Sequence, residues 1–175
     1  MKTINNLNAM KALKVFHILF GIMWIGGVMA LASIMLGVQP QGVEQMYAVA
    51  KDHLVIDKFF LTPGGVGIVL TALVYSIFTK WGFFKVKWVG VKWALTVALV
   101  LIGKVYMGVI IEENMDYAAM MLYEQFPVEP FLADVRHVAI AGIVQLAGFA
   151  TILILSVWKP WVNRKSSAKA SPLCG

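Results

Sequence analysis

Four blocks of this chain are apolar for long enough to cross a bilayer, and that limits what it can become. They lie near residues 15–37, 59–79, 93–111 and 137–158. A membrane-spanning helix needs about 20 such residues. Only 14% of the 175 residues are charged, against roughly 25% in an ordinary soluble domain. The expected fold is therefore all-α: an integral membrane four-helix bundle, one domain over residues 1–162, followed by a disordered basic tail at 163–175. Trp81, Trp88 and Trp93 flank the second and third blocks, and Trp158 and Trp161 close the fourth. Tryptophans in such places fit an interfacial belt in the lipid bilayer.

Charge sets the expected orientation. Eleven of the fifteen basic residues fall in the N-terminal segment (Lys2, Lys11, Lys14), the middle loop and its margin (Lys80, Lys85, Lys87, Lys92) and the C-terminal end (Lys159, Arg164, Lys165, Lys169). All nine acidic residues fall in the other two connecting segments. The positive-inside rule then places both termini and the 80–92 loop in the cytoplasm, in a multi-pass protein of the cell inner (plasma) membrane. The same lysines account for the basic balance, so no nucleic acid is needed as a partner; contact with anionic lipid suffices. An alternative is cleavage of residues 1–32 as a signal, at the small-residue site in "VMALAS". That would leave three spans with the same orientation.

The acidic connections carry short helices. In 39–58, Val43, Met46, Tyr47, Val49, Ala50, Leu54 and Val55 recur at amphipathic spacing, which suits a helix leading into the second span. Pro63 with Gly64, Gly65 and Gly67 should kink or loosen that span near its start. Residues 112–136 read as a helix lying over the outer end of the bundle, broken by Pro127 and Pro130 before the fourth span. Small residues on the first span (Gly21, Gly26, Gly27, Ala30) and the fourth (Gly142, Ala147, Gly148, Ala150) permit close helix packing, or room for a flat cofactor.

Ionisable groups within apolar spans are functional candidates by default. His17 lies near the inner end of the first span, and Lys92 is level with it on the third. His53 precedes the second span and His137 opens the fourth, both on the outer side. The hydrocarbon core is about 30 Å thick, so His17 cannot share one iron with either. His53 and His137, with Asp57 one turn after His53, are candidates for a metal such as zinc or copper, or for an iron porphyrin. Lys104 is the outlier, a lysine in the middle of "VALVLIGKVYMGVII". Its charge costs at least about 2.5–3.5 kcal/mol at such a depth. Gln145 on the fourth span sits at similar depth; the candidate partners of Lys104 are Gln145, Tyr75, Glu112, Glu113 or a bound anion. The only cysteine is Cys174, which rules out an internal disulfide and c-type haem attachment. Hydrolase, phosphate-loop and dinucleotide motifs are missing.

Several local patterns resemble one family. "KALKVFHILFGIMWIGG" in the first span, "LTP" at 61–63, "WVGVKWALTVALVLIG" at 88–103 and "WKPW" at 158–161 are similar, in order and spacing, to HemJ-type protoporphyrinogen IX oxidases. The first-span pattern is also similar to CopD-like copper-resistance membrane domains. The HemJ resemblance implies a haem b cofactor, membrane oxidoreductase activity with a membrane electron-transfer partner or quinone, and roles for His17 and Lys92. The CopD-like resemblance implies copper or zinc handling without catalysis. A cofactor-free accessory subunit is the third reading. The chain departs from the oxidases where it carries Lys104 and Val105: their third-span tyrosine–histidine pair is absent.

Overall fold

The structure, a computed structural model, describes residues 7–78 and 87–159. The described residues are helical apart from short links. Helix α1 runs Leu7–Gly37. Helix α2 (Val43–Ile56) passes through a π-helical turn (Asp57–Leu61) into α3 (Thr62–Phe78) without interruption. Helix α4 (Lys87–Val100) passes through a second π-helical turn (Leu101–Met107) into α5 (Gly108–Met121). Helix α6 spans Glu129–Trp158. Four rods result, each long and apolar enough to cross a membrane.

The two composite rods have 36 and 35 residues, or about 50 Å at 1.5 Å per residue. That exceeds a hydrocarbon core of about 30 Å, so a rod crossing a bilayer would extend beyond it. The less apolar parts are α2 and α5, which hold five of the nine acidic residues. They pack together through Met46, Ala50, Ala118, Met121 and Phe131, a small core separate from the main one. The segment after 111 does not fold back as a separate helix across the bundle. It prolongs the third rod to Met121 and only then turns. The Tyr117 hydroxyl donates to the Pro127 carbonyl at 2.9 Å and its ring meets Phe126 edge-on, tacking the link back onto α5. Pro130 then sits in the first turn of α6, where its missing N–H costs nothing. Because α6 begins at Glu129, His137 lies two turns inside it and does not open the helix.

The main core gathers Trp24, Val28, Leu31, Leu61, Leu99, Met107, Ile111, Val138 and Phe149. Only 22–33% of the residues in each rod's most apolar stretch are buried, and many large apolar side chains stay exposed. Such surface suits lipid, not water. The closest approach joins α1 and α3. A Cβ on Gly64 would stand 2.7 Å from the Trp24 backbone nitrogen, and one on Gly67 would enter the Phe20 ring. These glycines let the two helices meet as small residues do in lipid. Gly27 of α1 meets Phe60 and Leu61 in the first π-helical turn, while Gly26 faces open space.

Helix α1 packs on α3 and α6, and α6 packs on α4, but α3 and α4 barely touch. The bundle is thus an open ring with one seam.

Candidate functional site: an ion pair at a cleft between two spans

The seam between α3 and α4 is fastened at two levels. Toward the basic end, the Trp93 indole N–H donates to the Ser76 hydroxyl at 2.9 Å. Toward the acidic end, Lys104 Nζ lies 3.6 Å from Asp57 Oδ2. Between these levels is a cleft of about 270 Å³ lined by Val66, Val69, Leu70 and Val100, with Trp24 behind and Asp57, Thr62 and Lys104 among its walls. Val66 and Leu70 are exposed, so the cleft opens on the face that would meet lipid.

Both members of the ion pair are set by the π-helical turns. In the first, the Thr62 N–H bonds to the Asp57 carbonyl five residues back. Pro63 follows at once; it has no N–H to give and would crowd the carbonyl four residues before it. In the second, the Gly108 N–H bonds to the Gly103 carbonyl, again five back. The cause there is Gln145 on α6. Its Nε2 donates to the Leu99 carbonyl at 3.2 Å, taking an acceptor that an α-helix would offer to Gly103. A Cβ on Gly103 would come within 2.6 Å of that nitrogen. A side chain inserted into the ladder is a recognised origin of helix distortion.

The two charges differ in surroundings. Asp57 is buried, and its Oδ2 also accepts from the Thr62 hydroxyl at 3.2 Å. The Lys104 side chain is 52% exposed, with Glu112 as a second partner at 4.0 Å. Neither contact approaches the 2.7–2.9 Å of a tight charge-assisted hydrogen bond. The ammonium therefore has donors to offer.

Comparison with protein-family models, curated proteins and solved structures finds no match in any of the three. The site is accordingly read from its own chemistry.

The other candidates are placed as follows. His17 is half-buried between α1 and α3. Its Nδ1 is 2.7 Å from Thr71 Oγ1, and its ring meets Tyr75 edge-on at 5.7 Å. The Thr71 hydroxyl also lies 2.6 Å from the Gly67 carbonyl and 3.1 Å from the Ile68 carbonyl; the tautomer of His17 protonated on Nδ1 would donate to that hydroxyl and leave its lone pair on Nε2. Lys92 donates to the Ser156 hydroxyl at 2.8 Å and lies over the Trp88 ring. His53 is buried on α2, and its Nε2 has no hydrogen-bond partner. His137 is exposed on the rim of a different cavity, of about 240 Å³, beside Tyr106 and Ile140.

The metal expected at His53, Asp57 and His137 has no assembled site. Among the described residues no group of three His, Cys, Asp or Glu side chains is placed to hold an ion. Asp57 instead answers Lys104. Gln145, level with Lys104 as its position in the sequence suggests, shapes the turn and does not bond to the ammonium. Of the expected partners, Glu112 lies 4.0 Å from Lys104. Asp57 as its nearer partner, Thr62 and Trp24 were missed. The signal available was a lone carboxylate two residues before an apolar span, facing a lone lysine in another.

Proposed function

We propose that this protein is a multi-pass membrane protein that takes a lipid-soluble ligand from the bilayer into the cleft between its second and third spans. The observation that carries the reading is the half-exposed Lys104, loosely paired at the end of an otherwise apolar cleft. An intramembrane charge is costly and marks a working site by default. The distribution of lysines supports an orientation with both termini in the cytoplasm and the acidic ends of α2 and α5 outside, in the inner (plasma) membrane. Native mass spectrometry of the full chain released from detergent tests the reading. A small lipid-soluble adduct should be retained by the natural sequence and lost in Val66→Trp, which fills the mouth of the cleft from its exposed side. Equal adduct on both, or none on either, contradicts it.

A second reading is favoured by His17. In the tautomer that donates Nδ1–H to the Thr71 hydroxyl, His17 would present Nε2 as a ligand, the way metal-binding histidines are held. With the resemblance of the first span to HemJ-type oxidases, this supports haem b held by His17 and a redox role. His17 lines neither cavity described above, so the cleft reading has the better geometric support. The haem reading predicts a Soret band in haem-supplemented purified protein that His17→Ala removes. A featureless reduced-minus-oxidised spectrum sinks it.

A further inference from the structure

The walls of the cleft restrict the chemistry of its occupant, on the reading that it is a ligand site. Charge comes first. Lys104 is already faced by two carboxylates, Asp57 at 3.6 Å and Glu112 at 4.0 Å. A fatty-acid carboxylate or a phosphate would bring a third negative group to one ammonium. A cationic head would meet that ammonium directly. In a low-dielectric setting either arrangement is expensive, which leaves an uncharged head.

Hydrogen bonding comes next. The Thr62 hydroxyl donates to Asp57 Oδ2 at 3.2 Å, which commits its hydrogen. The Lys104 N–H groups, lacking a short acceptor, are the donors that remain. The head must therefore present an acceptor oxygen. Shape follows from Trp24. Its indole lies against Gly65, where an added Cβ would stand 3.7–3.9 Å from the ring atoms, and both residues line the cleft. A planar ring fits such a wall. At about 270 Å³, the cleft is at the small end of ligand pockets, which run from about 300 to 1,000 Å³. It holds a head, while any tail leaves past the exposed Val66 and Leu70 into lipid.

We infer that the cleft receives the head ring of an isoprenoid quinone, with one carbonyl oxygen accepting from Lys104 Nζ and the tail lying in the bilayer between α3 and α4. The ring is uncharged, planar and bears acceptor oxygens, and each property answers a feature of the walls. Asp57 is then a positioning residue that holds Lys104, and Gln145 positions it through the turn at Gly103.

The test is a native mass spectrometry titration of the full chain with three probes: decylubiquinone, palmitic acid and methyl palmitate. The proteins are the natural sequence, Val66→Trp, and the double variant Asp57→Asn/Lys104→Met, which removes both charges together so that neither is stranded. A hydrogen bond to a charged donor is worth about 1.5–3 kcal/mol, so decylubiquinone should bind the double variant about tenfold more weakly or worse. Binding should be lost in Val66→Trp, and both palmitate probes should bind the natural sequence at least about tenfold more weakly than the quinone. Palmitic acid binding as well as decylubiquinone and needing Lys104 would overturn the head class and leave the cleft reading standing. Methyl palmitate matching the quinone would show that the ring is not read, with the same consequence. Undiminished quinone binding by the double variant would overturn the role of Lys104. No saturable binding of any probe would overturn both the inference and the cleft reading.

Discussion

Removing Lys104 and removing Asp57 should have unequal effects, because the two side chains are buried to different extents. Lys104→Met strands a carboxylate that is 2% exposed. Breaking a buried pair from that side costs about 3–5 kcal/mol. Asp57→Asn leaves a half-exposed ammonium that still has Glu112 within 4.0 Å, and should cost clearly less. The double variant should recover much of the loss from Lys104→Met. Unfolding of the detergent-solubilised protein by sodium dodecyl sulfate, followed by loss of helical circular dichroism, measures all three; equal losses from the two single variants would contradict the assignment. The oddness of Lys104 was plain in the sequence, as a charge within an apolar run. Its partner was not, because Asp57 is on another rod and near His53, which drew it toward a metal reading. Distances between rods depend on packing, and no spacing along one chain encodes them. His17 shows the same limit. Its position was legible, whereas its orientation depends on Thr71, fifty-four residues away.

At the scale of elements, the two π-helical turns aim the pair across the seam. One was foreshadowed by Pro63, a residue whose local effect is steric and needs no tertiary partner. The other was hidden, since "LIGKVYMG" contains no helix breaker beyond its glycines. Its cause is Gln145 on α6. Gln145→Leu removes the bond to the Leu99 carbonyl and should let the turn revert to α-helix. Lys104 would then rotate by about 100°, one residue's worth of helix. A double-mutant cycle makes this measurable: the coupling between Asp57→Asn and Lys104→Met, read from unfolding in sodium dodecyl sulfate, should be present with Gln145 and largely lost with Gln145→Leu. Equal coupling in both backgrounds would mean that Gln145 does not set the turn. The α2–α3 rod followed from amphipathic spacing running into an apolar block. The extension of the third rod through Met121 did not, because Glu112, Glu113 and Asp116 end the apolar run and read as the start of a separate outer helix. Once helix α2 is alongside, Met121 and Ala118 have an apolar face to cover.

At the scale of the molecule, four apolar rods close around a common core except along one line. The rods were legible because about twenty apolar residues in a row have few other uses. The open seam was not, since it arises from an imbalance among contacts: glycines draw α1 onto α3, Leu99 and Gln145 bind α4 to α6, and among the described residues α3 and α4 share few contacts. The central claim is that this seam admits molecules from the bilayer as far as Trp24. Tryptophan quenching by a small bromoalkane dissolved in the vesicle membrane tests it most directly, with the Trp24 component taken as the difference between the natural chain and Trp24→Phe. The account predicts that this component is quenched although Trp24 is only 4% exposed, and that Val66→Phe, which narrows the mouth, protects it. A Trp24 component that the membrane-dissolved quencher leaves unchanged would contradict the account.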